Sequence, residues 1–171
     1  AAWVQGIMAV RPLRPAVSGV PGLDEVQMRL LLGMAQVLTC ADACGMVVIV
    51  GLFYWVSLRR MAGPAAIWRA ACNALDWLAA TGHRNILVEV ANEVDVIYDR
   101  TGLDMFRPSH VHETVARLKA HRPEMLISTS GGGADVATGR GLPTNDLVAV
   151  SDYVLLHGNG TRPEQLEAAI R

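Results

Sequence analysis

Two hydrophobic periods alternate along the chain. From Leu23 to Ala43, apolar residues recur at helical spacing (Leu23, Val26, Leu30, Met34, Val37, Ala41), and Gly45 closes that helix. Met46-Val47-Val48-Ile49-Val50 follows, short, largely β-branched and apolar at successive positions. Such a run suits a parallel strand covered on both faces. The alternation then repeats. Gly63-Pro64 opens a helix with Ile67, Ala71, Leu75 and Leu78 on one stripe, and Gly82 stops it. Asn85 to Asn92 reads as the next strand. Ser109 can cap a helix carrying Val111, Val115 and Leu118 that ends near Pro123. Met125 to Ser130 and Asp152 to His157 read as a third and a fourth strand. Gly131-Gly132-Gly133 opens a long loop between them. Thr161 with Glu164 makes a capping box for a last helix.

Strand, helix, strand in steady repetition predicts an α/β fold, with a parallel sheet in sequence order and helices on one side. Periodicity alone leaves two architectures open. One is an open, doubly wound sheet; the other is a partial TIM (β/α)₈ barrel, because a whole barrel needs eight strands in about 250 residues. A Pro/Gly-rich opening (Pro12, Pro15, Gly19, Pro21, Gly22) precedes the first helix. No second domain, linker or low-complexity tract interrupts residues 1–171, which read as a single domain.

Composition narrows the function classes. The chain is 51% hydrophobic and 18% charged, enough to build a core. Its net charge is −1 and its arginines are scattered. Neither a nucleic acid nor an anionic membrane surface is expected as a partner, since both call for a basic face. The longest apolar run, Met46 to Val56, is about half of the roughly 20 residues that span a bilayer. Residue 1 is not Met and no charged-then-apolar leader follows, so the start reads as a cut or a processed end. Cys40, Cys44 and Cys72 show no CxxC spacing and read as small buried residues.

Candidate chemistry collects where strands end, the edge at which parallel α/β folds place their sites. The first strand finishes in Phe53-Tyr54-Trp55 and the second in Glu89-Val90-Ala91-Asn92-Glu93. The third finishes in Ser128-Thr129-Ser130 and the fourth in His157-Gly158-Asn159. Glu89, two turns of the pleat before Glu93, would lie deep and need a partner, because burying a lone carboxylate is costly. Glu93 would stand at the rim beside Asn92. Tyr54 and Trp55 offer rings that can stack on a sugar face. Trp68 and Trp77 fall in helices and read as packing, while Asp95 and Asp99 fall on a loop after the site. His110 and His112 lack a carboxylate cluster, so no metal is expected. Gly131-Gly132-Gly133 lacks the following Gly-Lys-Ser/Thr of a phosphate loop, and no cofactor is expected.

The stretch Val88-Glu89-Val90-Ala91-Asn92-Glu93 resembles the fourth-strand motif of clan A glycoside hydrolases, especially the cellulase-like family 5. Gly45 to Val50 resembles the third strand of that group, and Tyr153 to His157 the sixth. Leu155-Leu156-His157-Gly158-Asn159-Gly160 also looks like a phrase from its bacterial members. The resemblance covers about residues 23 to 165. It implies a barrel fragment holding about strands 3 to 6, with Glu93 as catalytic acid/base and Asn92 on the sugar's 2-hydroxyl. It also implies substrate contacts from His157, Tyr54, Trp55 and Asn159. The chain departs from the pattern at Val94, where proline is usual, and at Phe53-Tyr54-Trp55, where a histidine is common. Arg11 is a poor match for the arginine near the second strand. The nucleophilic Glu of the group ends the seventh strand, which by this register lies outside the chain.

The implied function is cleavage of a β-linked glycan with retention, the fragment alone being inactive. A carbohydrate-binding barrel without catalysis would read the same way here. A barrel enzyme using one Glu as base would need a metal or lysine at the rim, and the only lysine, Lys119, lies on a helix. An open-sheet nucleotide-binding protein would need a glycine-rich strand-to-helix turn.

Overall fold

The computed structural model describes residues 2–5 and 25–170. Arg11, the Pro/Gly-rich opening and Leu23 lie outside the described residues, as do the side chains of Val26 and Leu30. Strand β1 (Ala2–Gln5) comes first, then helix α1 (Glu25–Ala43) and strand β2 (Val48–Phe53). A short helix α2 (Trp55–Leu58) and the long α3 (Pro64–Ala80) lead to β3 (Ile86–Ala91). Helix α4 (Val94–Thr101), a 3₁₀ turn (Asp104–Phe106) and α5 (Val111–His121) lead to β4 (Leu126–Ser128). Helices α6 (Asn145–Val150) and α7 (Pro163–Ile170) follow.

The four strands form one parallel sheet in the order β1-β2-β3-β4. Register pairs Val50 with Val88 and Val88 with Ile127, and one residue on it pairs Gly51 with Glu89 and Glu89 with Ser128. Because side chains alternate along a strand, these two rows lie on opposite faces. On the first face Val48, Val50, Leu52, Ile86, Val88, Val90 and Ile127 are all 4% exposed or less. They share a core with Met34, Leu38 and Ala41 of α1, with Ile67, Ala71, Leu75 and Leu78 of α3, and with Val111, Val115 and Leu118 of α5. Parallel neighbours joined by right-handed crossovers in one direction put their helices on one face, and the burial follows that rule. The other face is more open. Ile49 and Leu87 are half-buried and Leu126 is 45% exposed, while Gly51, Glu89 and Ser128 are buried.

Several expectations need correction. The stripe of α1 uses Leu38, not Val37, which is 40% exposed, because the inward row runs Met34, Leu38, Ala41. Cys40 and Cys44 are exposed and Cys72 is half-buried: Cys40 stands beside that row and Cys44 beyond the helix end. His110, not Ser109, is the cap residue of α5. Thr161 does not cap α7, since its hydroxyl donates to the Ala134 carbonyl and Gln165 Oε1 accepts the Arg162 N–H instead. The expected strand Asp152 to His157 is reduced to a single parallel bridge between Ser130 and Leu155. Asp95 and Asp99 sit on α4 rather than on a loop. Among the described residues, no helix is long and apolar enough to cross a membrane.

Asp76 of α3 ties that helix to the end of α5: Arg122 Nε lies 2.7 Å and His121 Nε2 2.8 Å from its Oδ1. Partial burial pushes the Asp76 carboxyl up, but the hydrogen bonds from Arg122 and His121 outweigh it and hold the group below its ordinary 3.8. A carboxyl depressed in the folded state stabilises above its unfolded value and loses that contribution as pH falls through the lower, folded value. Melting should therefore show wild type ahead of Asp76→Asn at about pH 5, the gap closing towards about pH 2. A gap that stayed constant across this range would remove the carboxylate from the account.

Candidate functional site

The ladder between β3 and β4 changes character at its carboxyl end. Beyond Ser128, side-chain hydroxyls take over from the backbone. Thr129 Oγ1 accepts the Ala91 N–H at 3.3 Å and donates to the Ala91 carbonyl at 2.7 Å. Ser130 Oγ accepts the Glu93 N–H at 3.1 Å and donates to Glu89 Oε1. The Ser130 carbonyl accepts the Val94 N–H at 2.9 Å. Freed from regular pairing, the chain turns sharply after Asn92, whose own N–H still donates to the Phe53 carbonyl at 3.0 Å.

Glu93 occupies that turn with φ 58 and ψ 67, the only residue other than glycine at positive φ among the described residues. Left-handed backbone costs a non-glycine residue about 1–3 kcal/mol and persists where the surroundings over-determine it. Here the two consecutive amides of Glu93 and Val94 are both held by Ser130. The turn thus places Glu93 beyond the regular strand, which ends at Ala91.

Its carboxylate faces a cleft of about 550 Å³ lined by Tyr54, Asn92, Glu93, Leu156, His157, Gly158 and Asn159. Glu93 Oε1 accepts from Asn159 Nδ2 at 2.8 Å and lies 3.1 Å from His157 Nδ1. An Nδ1–H on His157 can donate to this oxygen in either the neutral or the charged imidazole. The Glu93 and His157 side chains are each 18% exposed, so they are sheltered yet reachable. With both donors on Oε1, Oε2 is the oxygen without a donor among the described residues.

Five of the six residues expected at the site thus meet in one cleft: Glu93, Asn92, His157, Asn159 and Tyr54. Trp55 does not line it. The Trp55 ring lies between two guanidinium groups, Arg59 at 4.8 Å and Arg100 at 4.4 Å, and packs at the edge of the core. Tyr54 is 5.8 Å from it, ring to ring. Glu89 is fully buried and bonded to Ser130. Near it, burial pushes the Tyr153 phenol up, with the Glu89 and Asp152 carboxylates adding to the effect, so this tyrosine stays neutral.

Ser130, at the end of the expected third strand, and Asp95, just after Glu93, stand outside the six residues expected at the site. Ser130 lies just past the end of β4, next to Glu93's strand, and Asp95 Oδ1 accepts the Gly132 N–H at 2.7 Å. Lys119 is engaged far from the cleft, 2.7 Å from Asp152. His110 pairs with Asp104 at 2.9 Å. Among the described residues no group of three or more His, Cys, Asp or Glu side chains is placed to hold a metal ion. Compared with family models, curated proteins and solved structures, the chain matches none.

Proposed function

We propose that this chain is the central part of a retaining glycoside hydrolase acting on a β-linked glycan, with Glu93 as its general acid and base. One observation carries the reading: the Glu93 carboxylate stands at the carboxyl end of a parallel strand, with one oxygen held by His157 and Asn159 and Asn92 beside it in an open, polar cleft. A glycosidic oxygen is a poor leaving group, so the reaction needs a proton placed within hydrogen-bond reach. Oε2 of Glu93, which has no donor among the described residues, suits that task. Asn92 and Asn159 supply amides suited to sugar hydroxyls, and Tyr54 supplies an apolar face with a hydroxyl at its edge.

A barrel is favoured over an open sheet by the strand order. From β1 to β4 and on to the Ser130–Leu155 bridge, neighbours follow the sequence without the reversal that marks doubly wound sheets. Double displacement needs a second carboxylate roughly 5–5.5 Å from the first. Glu93 is the only carboxylate among the described residues lining the cleft. The nucleophile is then a carboxylate outside the described residues of this cleft.

The test is hydrolysis by the full-length protein of a panel of β-linked oligosaccharides, with the first-formed sugar followed by proton NMR. The expected product is the β anomer, which then mutarotates. Binding without turnover would favour a carbohydrate-binding barrel. Neither binding nor turnover on any β-glycan would overturn the reading.

A further inference from the structure

The glycine triplet after β4 lacks the Gly-Lys-Ser/Thr continuation of a phosphate loop, yet each of its members lies against another part of the backbone or a carboxylate. A Cβ on Gly131 would stand 2.6 Å from the Gly141 carbonyl oxygen. One on Gly132 would meet the Asp95 carboxylate at 3.1 Å, and one on Gly133 would drive into the Asn159 carbonyl oxygen at 2.2 Å. Contacts this close to backbone have no flexible end that can give way. The segment's hydrogen bonds run to the same places. Ser130 holds the Glu93 and Val94 amides, and the Gly132 N–H donates to Asp95 at the start of α4. The Ala134 N–H donates to the His157 carbonyl at 2.9 Å, and the Ala134 carbonyl accepts from Thr161.

We propose that Ser130 to Ala134 is a positioning clamp that sets the distance between Glu93 and its two donors, His157 and Asn159. One end grips the left-handed turn of Glu93 through Ser130 and the following helix through Gly132. The other end abuts Asn159 at Gly133 and ties His157 through Ala134. Glu93 and Asn159 are 66 residues apart in sequence, so a third segment touching both is what fixes their spacing. Gly133 is a glycine because the clamp closes to backbone distance at Asn159, and a Cβ on Gly132 would crowd the Asp95 carboxylate that its own N–H holds. None of these five residues touches substrate in this account; they act through Glu93, His157 and Asn159. The catalytic half of the proposal rests on Glu93 being the acid, whereas the geometric half does not.

Gly133→Ala in the full-length protein tests it, with Gly33→Ala as the control, since Gly33 lies in α1 with nothing within 4 Å of an added Cβ. Two readouts are combined. Amide hydrogen exchange should rise at Glu93, Val94 and Ala134 by about tenfold or more, while Val88 and Ile127 in the sheet stay protected. On a glycan with a poor leaving group, kcat should fall by roughly 10–100-fold with KM within about twofold, and by less on an aryl glycoside with a good leaving group. A clamp that positions the acid predicts that leaving-group dependence. In a Gly133→Ala protein that folds, a kcat lowered equally on both substrates with the sheet amides exposed as well would mean general destabilisation and would overturn the proposal. So would Gly133→Ala exchanging and turning over like wild type. If Gly133→Ala does not fold, Asp95→Ala, which releases only the Gly132 tether, carries the same comparison. Should Glu93→Gln prove silent in turnover, the glycosidase reading fails, and the exchange pattern alone still decides the clamp.

Discussion

Replacing Glu93 by glutamine in the full-length protein is expected to slow hydrolysis of natural glycans by roughly 10²–10⁴-fold. The substitution is nearly isosteric. The amide oxygen can still accept from Asn159 Nδ2 and His157 Nδ1 where Oε1 does now, at 2.8 and 3.1 Å, so the cleft should keep its shape. What disappears is the ionisable group at the Oε2 position, and with it the proton for the departing oxygen. The loss should be greatest for alkyl leaving groups. It should be much smaller for an aryl glycoside in the glycosylation step, because a phenolate departs without a proton. Release of the sugar by water would then still lack its base, so added azide, which needs none, should partly restore turnover. Glu89→Gln is the contrasting variant. Glu89 is fully excluded from solvent and bonded to Ser130, so its change should lower the melting temperature more than it alters leaving-group dependence. If Glu93→Gln turned over glycans at the wild-type rate, the assignment would be lost. If His157→Ala were instead the more damaging change for every leaving group, the imidazole and not the carboxylate would be the acid or base.

Phe53→Ala is expected to cost about 3–5 kcal/mol of stability, the usual range for emptying a buried aromatic site. Against a total of about 5–15 kcal/mol for a domain, that is a large share. Phe53 is 1% exposed at the carboxyl end of β2, and its ring meets Phe106 edge-on with centroids 6.0 Å apart. Phe106 is itself fully buried in the 3₁₀ turn that follows α4. The pair therefore ties the sheet to the segment carrying Glu93, and the Phe53 carbonyl also accepts the Asn92 N–H. Collapse of the site around the missing ring would reduce the cost, but that collapse would pull on the turn. Chemical denaturation should show a lower midpoint for Phe53→Ala than for Val56→Ala, whose side chain is 43% exposed. Equal midpoints for the two would mean that the aromatic pair adds nothing to the fold.

The alternation of apolar periods was enough to place the long helices and the strands β2, β3 and β4. Ile67, Ala71, Leu75 and Leu78 form the buried stripe expected of α3, and Pro64 opens that helix after Gly63. Gly45 and Gly82 end helices at φ 65 and φ 76, which only glycine adopts without cost. The polar residue that follows an apolar strand marked Glu93, Asn92 and His157 as rim residues. Shorter elements escaped notice: α2, α4 and α6 span four to eight residues and carry too few apolar positions for a period to emerge. β1 has four residues, and its strand character comes from pairing with β2.

Local pattern reports which side of an element is buried and where it stops, because burial and backbone geometry act residue by residue. It does not report which stops meet. That Ser130 holds the amide of Glu93 from 37 residues away, that Asn159 reaches the same carboxylate from 66, and that Arg100 claims the Trp55 ring depend on the paths of loops and on register. Asp152 to His157 shows the limit from the other side. Its residues suit a strand, but pairing reaches only one bridge, since a strand exists through its neighbour's hydrogen bonds and not through its own composition. The sequence by itself determined the elements, the buried stripes and the edge at which polar residues would gather. The tertiary structure alone decided that Glu93 leaves the strand in a left-handed turn and that two distant donors converge on one of its oxygens, because such contacts are set by packing between segments that share no local signal.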